Sequence, residues 1–205
     1  VLVGGWSLVA AAAAWWACGP FRPRLTALLP GVAAALLLAL PGLWPALRLT
    51  AGTDPQIVAE AEWIYVYGRL SHHLVFHRLA MGDIVRHAGL LLVWVAMAVA
   101  TPCVVRADSL GQRPLRGFVG GAVVLAVVGA AIDQALLGNW ELSSKLLRYY
   151  WFRMSDSMLP VGAALAIVGA LVRWWTVHPW RARGLAVIAV AVLSANLGLG
   201  MVRHG

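Results

Sequence analysis

Between Glu60 and His87 the chain reads EAEWIYVYGRLSHHLVFHRLAMGDIVRH, a run holding Glu60, Glu62, Asp83, three arginines and the histidines His72, His73, His77 and His87. His73 and His77 have the four-residue spacing by which two imidazoles on a helix share a metal, with Asp83, Glu62 or Asp156 as third ligands. A zinc-protease helix needs a Glu directly after the first His, and Leu74 stands there, so hydrogen-bonded or interfacial histidines are expected and no metal site is assigned. Glu60 and Glu62 are too close in sequence to share a helix face. A two-acid mechanism would therefore take one of them together with a distant acid such as Asp156 or Asp133.

A second rich run, GNWELSSKLLRYYWFRMSDS, spans 138–157. The guanidiniums of Arg148 and Arg153 can fork onto phosphate oxygens, and the rings of Tyr149, Tyr150, Trp151 and Phe152 can stack on a sugar or an isoprenoid. The same residues equally make a membrane-interface belt, with Asp156 capping the following helix, Ser155 or Ser157 helping, and Pro160 in its first turn. Arg153 and Asp156 stand three apart, where they can pair. The candidate catalytic groups are Glu62, Asp156 and His73, with the histidines orienting groups or moving protons near neutral pH. The candidate substrate-binding groups are Arg69, His72, His77, Arg148, Arg153 and Tyr149.

The elements that must carry these groups are apolar. The 205 residues are 61% hydrophobic and 12% charged, with a mean hydropathy of +0.80, which excludes an ordinary soluble domain. Six runs approach the roughly 20 residues that a helix needs to cross about 30 Å of hydrocarbon: about 1–17, 25–47, 88–105, 117–137, 158–175 and 184–202. They are continuous rather than alternating, so the fold class is all-α, a polytopic transmembrane bundle in one membrane domain. Pro30, Pro41 and Pro45 are expected to kink the ends of the second span. Gly120, Gly121 and Gly129 suit close packing of the fourth.

Thr50 to Pro55 reads as a turn that caps an interfacial helical segment over 56–83. If 56–80 is one helix, Arg69, His73 and His77 form one stripe and Trp63 and Tyr67 another. Asp133 is the acid inside a hydrophobic run; near the span's end it can reach water, and a buried hydrogen-bonded group is its default role. The chain opens on Val1 inside an apolar run without Met or cleavage site, so a piece of a longer protein is expected.

Alternating spans sort the connections onto two sides. One side, B, carries 48–87 and 138–157, with all four tyrosines and seven of the eight acids, counting Asp133 at the B end of its span. The other, A, holds short arginine-rich linkers. Lys and Arg divide eight to eight, so the net charge of +8 does not itself orient the chain. Side A is expected to be cytoplasmic because its cations hug the spans, and because Cys18 and Cys103 both fall there, where a reducing compartment leaves thiols free. The positive charge points to anionic lipid headgroups and not to nucleic acid. No phosphate loop, Ser-His-Asp order or dinucleotide fingerprint occurs, and no cofactor is indicated.

The segment Glu60-Ala-Glu-Trp-Ile-Tyr-Val-Tyr-Gly-Arg69-Leu-Ser-His72-His73, with the later Leu147-Arg-Tyr-Tyr-Trp-Phe-Arg153-Met-Ser-Asp156-Ser-Met-Leu-Pro160, resembles a group of bacterial multi-pass membrane proteins of uncharacterised function. These carry an Arg-Leu-Pro-His-His-like and a Phe-Arg-Leu-x-Asp-x-x-x-Pro-like segment; Ser71 departs from the first. The resemblance covers about 54–165, and members are longer than this chain. It extends distantly to the GT-C class of glycosyltransferases that use polyprenyl-phosphate sugars. What it implies is an inner-membrane enzyme acting at the outer face, with a lipid phosphate on Arg69, Arg148 or Arg153 and a hydroxyl activated by Glu62 or Asp156. A GT-C catalytic acid in the first outward loop would precede Val1. A transporter, using Asp133 and Asn196, and a non-catalytic scaffold subunit are the alternatives.

Overall fold

The structure, a computed structural model, describes residues 2–101 and 112–188. Among them every regular element is helical: α1 (Leu2–Ala17), a 3₁₀ turn (Gly19–Phe21), α2 (Leu25–Arg48), α3 (Pro55–Trp63), a π-helical turn (Ile64–Arg69), α4 (Ser71–Leu74), a second 3₁₀ turn (Phe76–Arg78), α5 (Met81–Ala100), α6 (Gln112–Ala135), α7 (Trp140–Leu147) and α8 (Arg153–Val177). Four helices are long and apolar enough to cross a bilayer, over Leu25–Ala46, Met81–Ala100, Gln112–Ala135 and Arg153–Trp175. These are the helices of a membrane protein. The first of the six expected spans, α1, is only 16 residues long, about 24 Å at 1.5 Å per residue. Most of the sixth, 184–202, lies outside the described residues.

Three helices start earlier than their apolar runs. α5, α6 and α8 begin at Met81, Gln112 and Arg153, before the expected 88, 117 and 158. Apolarity marks where hydrocarbon begins, but helical hydrogen bonding begins a turn or more sooner, in residues that face headgroups. Acids suit that first turn because its free N–H groups carry partial positive charge, and Asp83 and Asp156 occupy it in α5 and α8. Pro160 consequently sits inside α8 and not in its first turn. α2 runs on through all three of its prolines.

Small residues set the central packing. A Cβ on Gly117 would lie 2.6 Å from the Cβ of Ala17 and 2.8 Å from the carbonyl oxygen of Ala13, and one on Gly121 would lie 2.9 Å from the Cβ of Ala13. This glycine pair, four apart, lets α6 approach the backbone of α1, the means by which helices associate where lipid is as apolar as leucine. Gly129 likewise admits Trp151, and Gly162 of α8 admits Val119. Gly120, expected to do the same, has only ordinary room beside Trp94, at 3.7 Å. α8 packs against both α5 and α6, so the bundle is α1, α6, α8 and α5 in succession. Among its described side chains α2 has no buried residue, and it presents most of its leucines outward.

The expected helix over 56–83 is broken twice. Asp54 caps its start as expected, accepting from the Gln56 amide at 2.8 Å with Pro55 in the first turn. The chain then widens into the π turn, leaves helical geometry at Leu70 (φ −125°, ψ 20°), and becomes extended at Val75 (φ −115°, ψ 111°). The breaks follow from burial. Val66, Leu74 and Val75 form one apolar cluster with Leu147, and a straight helix cannot turn both Leu74 and Val75 inward along with Val66. Trp63 and Tyr67 still face one another, ring centroids 6.3 Å apart, but the stripe of Arg69, His73 and His77 does not form.

Candidate functional site

The two chemically rich connections meet at one end of the bundle. Tyr65 and Tyr150 share a hydrogen bond of 2.6 Å between hydroxyls, and Tyr67 donates to the Ser143 hydroxyl at 2.7 Å. Arg148 donates to the carboxylate of Glu62 and, at 2.8 Å, to the Tyr149 hydroxyl. The indole N–H of Trp6 in α1 donates to the Tyr149 carbonyl, and its ring lies 4.4 Å from that of Trp151, so the first helix holds the second connection in place. Tyr150 has a positive φ of 57°, a strained conformation for a bulky residue, and its contacts to Tyr65 hold it there.

Glu62 is the most constrained carboxylate of this assembly. Its side chain is 11% exposed, Oε1 faces Arg148, and Oε2 is buried without a hydrogen-bond partner among the described residues. Burial works against the Arg148 charge, but Tyr149 and Glu62 outweigh it and raise the guanidinium's pKa. Burial, reinforced by the hydrogen bond to Tyr150, pushes the Tyr65 hydroxyl from 10.0 up to about 12. A raised phenol pKa means that the folded protein holds the proton longer than the unfolded chain. The stabilisation is thus complete below pH 10 and is lost as the pH rises toward about 12. Tyrosinate absorbance should show a step near pH 12 that Tyr65→Phe removes. Absence of that step, or its persistence in Tyr65→Phe, would contradict it.

Two further clusters lie at the same end. Asp133, 1% exposed near the end of α6, accepts from the backbone N–H of His77 at 2.9 Å and from its Nδ1 at 2.9 and 3.1 Å. Asp133 does not reach water, contrary to one expectation, and it is the buried hydrogen-bonded group of the other. The pairing leaves Nε2 of His77 as the ring's remaining polar atom. On α5, His87 Nε2 lies 3.0 Å from the Ser155 hydroxyl, and its Nδ1 lies 3.7 Å from Asp156. That order mimics a Ser-His-Asp relay, but Ser155 is fully buried and 3.7 Å is too long for a hydrogen bond, so it pins α5 to α8.

The remaining sequence candidates stay apart. His72 and His73 touch one another, ring centroids 4.1 Å apart, and are exposed. Arg69 and Arg153 are exposed and make no ion pair among the described residues; Asp156 faces His87 and not Arg153. Asp83 pairs loosely with Arg86, at 3.8 Å, and not with His87. No group of three or more His, Cys, Asp or Glu that could hold a metal occurs among the described residues. Asn196 lies outside them.

The open cavity at this end is one that the sequence did not single out. A groove of about 700 Å³ runs between α3 and α7, lined by Pro55, Gln56, Ala59, Glu60, Trp63, Trp140 and Glu141. Asn139 builds the α7 wall by capping its helix, accepting from the Leu142 amide at 3.2 Å after Gly138 turns the chain at φ 94°. Glu141 is tied to Lys145 at 2.8 Å, which lowers the carboxyl's pKa, while Glu60 makes no ion pair among the described residues. The signal for α7 was the polar start Gly138-Asn139 followed by the Glu141–Lys145 spacing. Glu60 and Glu62 diverge as their spacing requires, one lining the groove and the other turned to Arg148. Comparison with protein-family models, with curated proteins and with solved structures gave no match.

Proposed function

We propose that this membrane protein binds a sugar carried on a lipid phosphate, in the groove between α3 and α7, and transfers it as a GT-C-like glycosyltransferase at the outer face of an inner membrane. The observation that carries the reading is the groove's lining: two tryptophans, one on each wall, with two carboxylates and an amide beside them. A tryptophan face stacks on the C–H face of a pyranose, and carboxylates and amides accept from and donate to its hydroxyls. Glu60, which lines the groove and makes no ion pair among the described residues, would take the proton of the attacking hydroxyl. Arg69 and Arg153, exposed and without an ion pair among the described residues, would hold the leaving phosphate, since Arg148 is committed to Glu62.

Binding of a polyprenyl-phosphate sugar and of the bare polyprenyl phosphate to the detergent-solubilised protein tests the reading. The sugar-bearing lipid should bind more tightly. Trp63→Ala and Trp140→Ala should each remove roughly threefold to tenfold of that preference, the worth of a ring-stacking contact. Equal binding of both lipids, or indifference to both substitutions, would sink it.

One observation favours a non-catalytic subunit instead: Glu62–Arg148, His77–Asp133 and Tyr65–Tyr150 satisfy one another, as in a platform built for rigidity. A transporter has less support, since Asp133 is held at the end of α6 by His77.

A further inference from the structure

The opposite end of the bundle carries a second open cleft, of about 690 Å³, lined by Trp15, Trp16, Gly19, Pro20, Arg22, Pro23 and Arg24. We propose that it is a site for the phosphate of an anionic phospholipid. The reading is independent of the sugar groove, which lies at the other end of the molecule.

The cleft is built and not incidental. The Trp15 indole N–H donates to the Pro23 carbonyl at 2.8 Å, tying the end of α1 to the connection that leads into α2. The Arg22 guanidinium stands 4.6 Å from the Trp15 ring centroid and 5.9 Å from that of Trp16. Stacking on two rings holds the guanidinium while leaving its N–H edge for an oxyanion. Arg24 precedes the first residue of α2, whose N-terminal N–H groups receive no side-chain cap. Arg113 of α6 joins the same end, its guanidinium 6.0 Å from the Phe21 ring.

Among the described residues, none of these cations pairs with an acid. Residues 2–53, 112–132 and 157–188, which supply α1, α2 and the parts of α6 and α8 that reach this end, contain no Asp or Glu. Arg116 differs, since its N–H groups are taken by the carbonyls of Ala98, at 3.0 Å, and Thr101, at 2.6 Å, so it closes the end of α5. A positive cleft at the mouth of an apolar span, with no acid paired to it among the described residues, suits an anion from outside. The exposed Leu25, Leu29 and Val32 continue from Arg24 along α2, where an acyl chain can lie. A phosphate with two hydrocarbon tails satisfies both halves. An inorganic phosphate would satisfy only the polar half.

The test is native mass spectrometry of the whole chain in detergent, titrated with phosphatidylglycerol, phosphatidylcholine or inorganic phosphate. Phosphatidylglycerol should be retained in preference to phosphatidylcholine. Arg22→Gln and Arg24→Gln should each reduce that retention, on the order of fivefold per charge at a membrane surface. Arg22→Lys with Arg24→Lys should restore much of it, and Arg86→Gln, on an exposed arginine at the far end, should leave it unchanged. Retention that survives excess inorganic phosphate assigns the lipid. Displacement by phosphate, with a phosphate adduct left behind, assigns the same cleft to the free ion. Equal retention of the two lipids, or retention indifferent to Arg22→Gln with Arg24→Gln, would overturn the site. All variants alter exposed side chains, and elution as the parent does confirms that the fold is kept.

Discussion

Arg148→Ala is expected to destabilise the folded protein by about 2–4 kcal/mol, the largest loss of any single exposed or half-exposed side chain at this end. The loss comes from what is left behind. Oε2 of Glu62 is already buried without a hydrogen-bond partner among the described residues, and the substitution takes the donor from Oε1 as well, so a buried carboxylate loses its cation. The figure lies below that for a fully buried pair because Arg148 is about one-third exposed. The same change frees the Tyr149 hydroxyl and with it the segment that Trp6 grips. Adding Glu62→Gln to Arg148→Ala should recover part of the loss, because a neutral amide is far cheaper to bury than a charge. Reversible unfolding in bicelles measures both. A loss below about 0.5 kcal/mol for Arg148→Ala would mean that the pair is a surface contact.

Asp133→Ala is expected to remove about 2–3 kcal/mol, and its effect should be concentrated in the turn Phe76–Arg78. That turn is fastened to α6 through His77, whose backbone N–H and Nδ1 both meet the one carboxylate. Without it, a backbone donor at a packed junction loses its acceptor. Asp133→Asn keeps an acceptor oxygen and should lose less. Hydrogen exchange reports this locally: the His77 amide should lose protection in Asp133→Ala while amides in the middle of α6 keep theirs. Unchanged exchange at His77 would show that the turn is held by its apolar neighbours Leu74 and Val75 alone.

The helical class and the sidedness were legible because they rest on composition and connectivity. A continuous apolar run can only be a helix in lipid, and alternating spans bring 48–87 and 138–157 to one end whatever the packing. Capping chemistry was legible too, since Thr-Asp-Pro before α3 carries its own geometry. The breaks at Leu70 and Val75 were not, because local periodicity says nothing of a core supplied partly by Leu147, more than 70 residues on. The pairing of Glu62 with Arg148 was hidden for the same reason: either residue alone reads as a candidate for substrate. Arg153 and Asp156 stand where they can pair, but Asp156 faces His87 of another helix, a neighbour that spacing along one helix does not show. Trp140 passed unnoticed because a single tryptophan in a loop reads as an interface anchor until α3 is set opposite it.

Residues 55–80 and 140–152 fold onto each other at one end of the bundle, and the site exists only because they do. Exchanging the charges of its central pair tests this most directly. Glu62→Arg and Arg148→Glu should each destabilise the protein by placing like charges together. The double exchange should be more stable than the two losses summed by at least about 1 kcal/mol, since only neighbours couple that strongly. A double variant whose loss equals that sum would place the two residues apart and contradict the account.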